Sequence, residues 1–197
     1  MSTETRREAY SQIGGHRALD LVNTVEWRLN PGRLVDDLHD YDDVLRWAAQ
    51  SGLLPEEQVS RIRSRASGPA AAAEFERVRD LREAVYTTVF EGGDPALLAG
   101  EYAEAVDAGA LARAEDGWRW SLPVDLALPR HSMALDAFDL LTRTDLSDLA
   151  QCQDADCGWV FLDSSPRRNR RWCVAEDCGN RNRAREFYRR SREVTAG

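Results

Sequence analysis

Two Cys-x4-Cys pairs confined to the last quarter, helical periodicity recurring through the first 150 residues, and one Asp-Gly hairpin signal between them predict an α+β chain. The expected organisation is a mostly helical body with one β-hairpin over residues 1–150, followed by a small treble-clef-like metal finger over residues 151–197. A length of 197 residues suits one medium domain with a small appendage, and 43% hydrophobic content with six Trp can furnish a core.

Several function classes are disfavoured at once. No apolar run approaches the ~20 residues that span a bilayer, so no membrane partner is expected. Met1-Ser-Thr-Glu-Thr-Arg-Arg7 is not followed by an apolar segment, so no secretory signal is expected. A cytoplasmic location is the resulting default, and there disulfides are disfavoured. The net charge of −8 is unevenly spread: residues 1–150 hold 16 Arg against 27 Asp/Glu, and residues 151–197 hold 10 Arg against 7. An acidic body with a basic tail points to the tail as the part that meets a polyanion. There is no Lys, which fits a GC-rich genome and weakens any argument from arginine abundance alone.

Residues 1–15 are polar and end in Gly14-Gly15, a lead-in expected to fray. Ala18 through Trp27 reads as a helix on Ala18, Leu21, Val22 and Val25, although alternation also fits a strand. Asn30-Pro31-Gly32 is a turn signal. Asp36 to Ser51 reads as a helix with Tyr41, Val44, Leu45 and Ala48 on one face and Asp40, Asp42 and Asp43 near its positive end. Pro55-Glu56-Glu57 restarts a helix that runs to about Ala66. From Ala70 to Glu91, Phe75, Val78, Leu81, Val85 and Val89 form a stripe that leaves Arg77, Arg79 and Arg82 outside it. A shorter helix spans Pro95 to Ala108. Glu115-Asp116-Gly117, between Leu111-x-Arg113 and Trp118-Arg-Trp120, then marks the hairpin. A final helix begins near Pro129 and is expected to reach Asp148, delivering the chain to Cys152 without a Gly/Ser linker. The finger should therefore pack on the body.

Cys152, Cys157, Cys173 and Cys178 carry the strongest chemical signal, because each pair supplies two soft ligands from one tight turn. Four thiolates leave a tetrahedral metal no open position for water or substrate, so the site is expected to be a structural Zn2+ centre. Thiolates alone leave iron open, and two disulfides are the bland alternative. Trp159 to Leu162 and Arg170 to Cys173 read as two short strands joined by an arginine-rich turn, and a closing helix runs from Arg181 to about Glu193. His16, His39 and His131 are scattered and read as ordinary surface or core histidines.

Trp159-Val-Phe-Leu-Asp163, Arg170-Arg-Trp-Cys173 and especially Cys178-Gly-Asn-Arg181 resemble the CGNR zinc-finger family. Ala18-Leu-Asp-Leu-Val-Asn-Thr24 resembles the opening of the ABATE domain that precedes this finger. The resemblance implies zinc on Cys152, Cys157, Cys173 and Cys178, a DNA-binding finger, a ligand-binding N-terminal domain, and a role as a candidate stress-induced transcription regulator.

On the closing helix Arg181, Arg185, Arg189 and Arg192 fall within a sector of roughly 80° at 100° per residue. Ala184, Phe187 and Tyr188 lie on an adjoining face expected to cover the metal core. Arg167, Arg168, Arg170 and Arg171 extend the cationic surface. Guanidinium groups suit phosphate oxygens and the guanine edge, so these eight residues are the candidate DNA contacts. The competing reading is a protein-interaction or structural protein whose finger only completes the fold. In the body, Asp20, Asn23, Thr24 and Trp27 share one helical face and are the candidate ligand-binding residues, with an interhelical hydrogen-bond cluster as the plain alternative. Trp118 and Trp120 add a pocket wall or fill core. Paired acids such as Asp36-Asp37 and Asp42-Asp43 read as solvated helix starts, and no catalytic constellation is recognisable, so no enzyme activity is expected. The expected partners are DNA, a small-molecule effector and a second copy of the chain.

Overall fold

The computed structural model of the chain describes residues 9–143 and 145–195. The body comprises α1 (Arg17–Val22), a short ladder of β1 (Val25–Glu26) with β2 (Val35–Asp36), α2 (Tyr41–Gln50), α3 (Glu56–Arg63) and α4 (Gly68–Tyr86). It continues with α5 (Ala96–Ala108), the hairpin β3 (Ala110–Ala114) with β4 (Gly117–Ser121), and α6 (Leu128–Arg143). The finger adds β5 (Leu149–Gln151), β6 (Val160–Leu162) and α7 (Asn180–Thr195). All three ladders are antiparallel, as expected for an α+β chain.

Local chemistry explains the main helices. Asp40 caps α2 by accepting the Asp43 N–H at 3.1 Å, and the face of Tyr41, Val44, Leu45 and Ala48 is buried. Pro55 and Pro69 stand at the starts of α3 and α4, where a missing N–H costs nothing. On α4 the stripe of Val78, Leu81 and Val85 faces the core, and one wide turn over Thr87–Glu91 ends at Gly92.

The shortest helix sits deepest. Ala18 to Val22 are all buried, and α1 packs against α4, α6 and β6. Val160 belongs to the same apolar cluster as Leu19, Val22, Trp47, Leu81 and Leu140, with Leu149 and Leu162 packed on it. The finger's hairpin therefore completes the body core on one side, while the four cysteines and Phe161 form a second, smaller cluster on the other.

Several expectations need correction. The first helix stops at Val22 instead of reaching Trp27, because Asn23 and Thr24 turn the chain into β1. Asp36 lies in β2 and not in α2. The final body helix ends at Arg143, and Leu149–Gln151 forms a strand. That strand pairs with β6, the place expected for Arg170–Cys173, which forms none. Of the lead-in, residues 1–8 lie outside the described residues. Tyr10 is buried, donating its N–H to Gln50 Oε1 at 3.1 Å and its hydroxyl to the Asp43 carbonyl at 3.2 Å. Nor are most of the paired acids solvated: Asp43 is fully buried and pairs with Arg46, Asp37 is buried, and Asp36 takes a two-pronged contact from the buried Arg82, while Asp42 stays half-exposed and pairs with Arg63.

Candidate metal centre and nucleic-acid interface

The first knuckle follows directly from β5. Cys152 donates its N–H to the Trp159 carbonyl at 2.8 Å, and Cys157 donates to the Asp154 carbonyl at 3.1 Å. The second is the turn Ala175–Gly179, which leads into α7. The four buried sulfurs lie within 4.8 Å of one another, with Cys157–Cys173 at 3.6 Å and Cys173–Cys178 at 3.3 Å. A disulfide would require about 2.05 Å, and all four cysteines are free. A tetrahedron with Zn–S bonds of about 2.3 Å has S···S edges of about 3.8 Å, which falls between the shortest of these separations and their 4.8 Å limit, so the donor set fits zinc. Four sulfur ligands close the coordination shell. This is a structural zinc site.

The arginines around it divide sharply. Arg181 donates to Cys178 Sγ at 2.8 Å, to Asp154 at 3.2 Å and to Asp177 at 2.5 Å. Its guanidinium also lies 4.4 Å from the Trp27 ring centre. Arg185 reaches Asp154 at 3.2 Å and Asp156 at 2.7 Å. Asp154 is fully buried; burial pushes its carboxyl up, but the Asp156 N–H and these two guanidiniums outweigh that and hold it below the usual carboxylate range. Arg170 donates to the Trp172 and Cys173 carbonyls and stacks on Phe161, Arg171 pairs with Gln153, and Arg168 pairs with Asp148. Arg167, Arg189 and Arg192 are exposed, and none has an ion pair among the described residues. The expectation for the apolar face is overturned. Phe187 is 63% and Tyr188 66% exposed, because among the described residues the bonds from α7 to the knuckles end at Arg185.

Residues 15–144 match the family described as "ABATE: Putative stress-induced transcription regulator". The chain belongs to the ABATE family. Residues 149–191 match the CGNR zinc finger, so the order expected from the two motifs holds. A search of the curated proteins finds none that matches.

The ABATE domain meets its finger along a seam of hydrogen bonds to backbone groups. Asn23 Nδ2 donates to the Val160 carbonyl at 2.9 Å, and Val160 N–H donates back to Asn23 Oδ1 at 2.8 Å. Trp159 Nε1 donates to the Val25 carbonyl at 3.0 Å, Arg28 N–H to that of Cys157 at 3.0 Å, and Leu162 N–H to that of Gly14 at 2.8 Å. Gly158 has φ +73°, and a Cβ there would stand 2.8 Å from Arg28 Cβ. Both the left-handed turn and the close approach need glycine.

Three of the four candidate ligand residues thus belong to this architecture. Asn23 grips the finger, Thr24 Oγ1 accepts from Arg82 at 3.0 Å, and the buried Asp20 accepts the Gly14 N–H at 2.8 Å. Burial pushes the Asp20 carboxyl up to about 6, against the lowering effect of that N–H. Trp27 has φ 54°, and its ring centre lies 3.5 Å from the Arg33 guanidinium and 4.4 Å from that of Arg181. It lines a cavity of about 300 Å3 beside Cys157, Cys173 and Cys178. The four share a helical face in the sequence but not in the fold, because α1 ends before Asn23. Sequence reasoning missed Asp154, whose anchoring of Arg181 and Arg185 has no spacing signature. Trp118 and Trp120 do not fill core: Trp118 is 64% exposed, and Trp120 walls a cleft of about 600 Å3 with Tyr102, Phe138 and Leu135. Among the described residues no helix is long and apolar enough to cross a membrane.

Proposed function

We propose that this ABATE protein is a transcription regulator that binds duplex DNA through its zinc finger, with α7 as the contacting element. The observation carrying this reading is the outer part of α7. Arg183 to Arg192 are all exposed, and this segment holds five Arg against Glu186 alone. The family description and the zinc-finger match favour the same direction. The zinc centre contributes rigidity: it holds the knuckle carboxylates that fix Arg181 and Arg185, and so aims the rest of the helix outward. Arg181 and Arg185 then serve the finger, and Arg183, Arg189, Arg190 and Arg192, with Arg167, meet phosphate.

The test is a fluorescence-anisotropy titration of zinc-loaded full chain against random duplex DNA over a range of salt. Four neutralised phosphates give a log–log slope near −3.6, at about −0.9 per phosphate. Arg189→Ala with Arg192→Ala should flatten that slope by about 1.8. A salt-independent response, or an unchanged slope in the double variant, overturns the reading.

The acidic body is proposed to sense a small molecule. The cleft walled by Trp120, Tyr102 and Phe138 supports this better than the residues around α1, since aromatic walls with Asp139 and Arg17 also in the lining leave room for an occupant. A metabolite screen by thermal shift, repeated on Trp120→Ala, tests it: a hit that survives the substitution places the ligand elsewhere.

A further inference from the structure

Phe187 and Tyr188 are two of the most exposed large apolar side chains in the described chain, and they lie beside one another, edge to face, with ring centres 5.8 Å apart. Exposed apolar surface at a projecting basic element needs a physical account. The helical repeat supplies one. With Phe187 at zero and about 100° per residue, Ala184 stands near 60° and Tyr188 near 100°. Arg192 and Arg189 follow at about 140° and 200°, with Arg185, held by Asp154 and Asp156, between them, and Arg183 and Arg190 lie on the other side at about −40° and −60°. The apolar strip is interrupted by Ser191 near 40°, whose hydroxyl donates back to the Phe187 carbonyl at 3.0 Å, and it is bordered by guanidiniums on both flanks.

Resting on the reading of α7 as a DNA-binding helix, we propose that sequence is read by the Ala184–Phe187–Tyr188 strip and not by the arginines. The major groove is about 12 Å wide, admits one helix, and is edged by two phosphate ridges. A helix seated with its apolar strip toward the floor presents arginines to both ridges. The floor feature that rewards an apolar side chain is the thymine C5-methyl group, and Tyr188 adds one hydroxyl for a base edge. The partner is duplex DNA whose recognised step contains thymine, with phosphate contacts setting register and the strip setting preference.

The experiment selects bound duplexes from a random pool with zinc-loaded full chain. It then compares the selected site with a scrambled duplex, and with the selected site carrying uracil in place of thymine. The expected result is a thymine-containing site, and a preference that falls about tenfold or more with uracil or in Phe187→Ala/Tyr188→Ala, the salt slope being unchanged. Arg189→Ala/Arg192→Ala should do the reverse, flattening the slope and leaving the preference. If the aromatic variant keeps full preference, or uracil is tolerated, the strip does not read sequence although the helix still binds DNA. If no duplex binds at all, the broader reading falls with it, and the strip becomes a protein contact. Zinc content and circular dichroism of each variant establish that the finger is folded.

Discussion

Asn23 does the work of a strand partner with one side chain. Its amide satisfies both backbone groups of Val160, which is fully buried. Asn23→Ala should leave a buried N–H and C=O without partners and destabilise the chain by about 2–4 kcal/mol in urea unfolding. Asn23→Asp should cost at least as much, because a carboxylate then faces the Val160 carbonyl. Asp20 behaves differently. Its carboxyl is pushed up to about 6 in the fold, against about 4 when unfolded, so between those values the folded chain holds a proton that the unfolded chain has released. Stability therefore falls as pH rises through that window, and above it the ionised group costs about 1–3 kcal/mol. Asp20→Asn keeps an acceptor for Gly14. The variant should be more stable than the parent by that amount at pH 7 and equal to it near pH 4, measured as the difference between paired denaturation curves. The four zinc cysteines were legible because ligand spacing is a local property. Asn23 was legible as polar and singular, but its partner lies 137 residues away, and no periodicity reports that distance.

At the scale of elements, the finger hairpin shows what local pattern hides. Leu149-Ala-Gln continues a helical stripe as well as it starts a strand, and the decision falls to Val160–Leu162, which need a partner beneath the core. Arg170–Cys173 looks like that partner from its place after the arginine-rich turn. Its groups are committed elsewhere: the Arg171 carbonyl accepts from Gln153, and the Trp172 and Cys173 carbonyls accept from Arg170. α7 was legible as a basic helix, and its exposed aromatics were not, since docking as far as Arg185 suffices to fix it. Two glycines separate strain from crowding. Gly52 has φ +68° with nothing near a would-be Cβ, and Gly158 has φ +73° with Arg28 Cβ at 2.8 Å. Gly52→Ala should cost about 1–2 kcal/mol, the expense of the left-handed region alone. Gly158→Ala should cost clearly more, and should speed zinc loss to a chelator as the knuckle is pushed from the body. Equal losses in thermal unfolding would refute that assignment.

For the whole molecule, the shared core sets how it comes apart. A structural zinc site with four thiolate ligands contributes an apparent ~10–16 kcal/mol to folding, and here the strand it secures also closes the cluster containing Leu19, Leu81 and Leu140. Zinc removal is expected to lower the melting of the body together with that of the finger. Near-UV circular dichroism from the tryptophans and thiol titration of the cysteines should then report one coincident transition, and two separated transitions would show independent units. The seam also constrains how such chains can be reassembled. A finger moved onto an unrelated body would carry Val160 with its amide and carbonyl bare, and Gly158 with no neighbour to approach. Fusion junctions should therefore be drawn to include residues 14–29 with the finger, and natural recombination between these two modules should succeed only when an asparagine arrives at the end of the first helix.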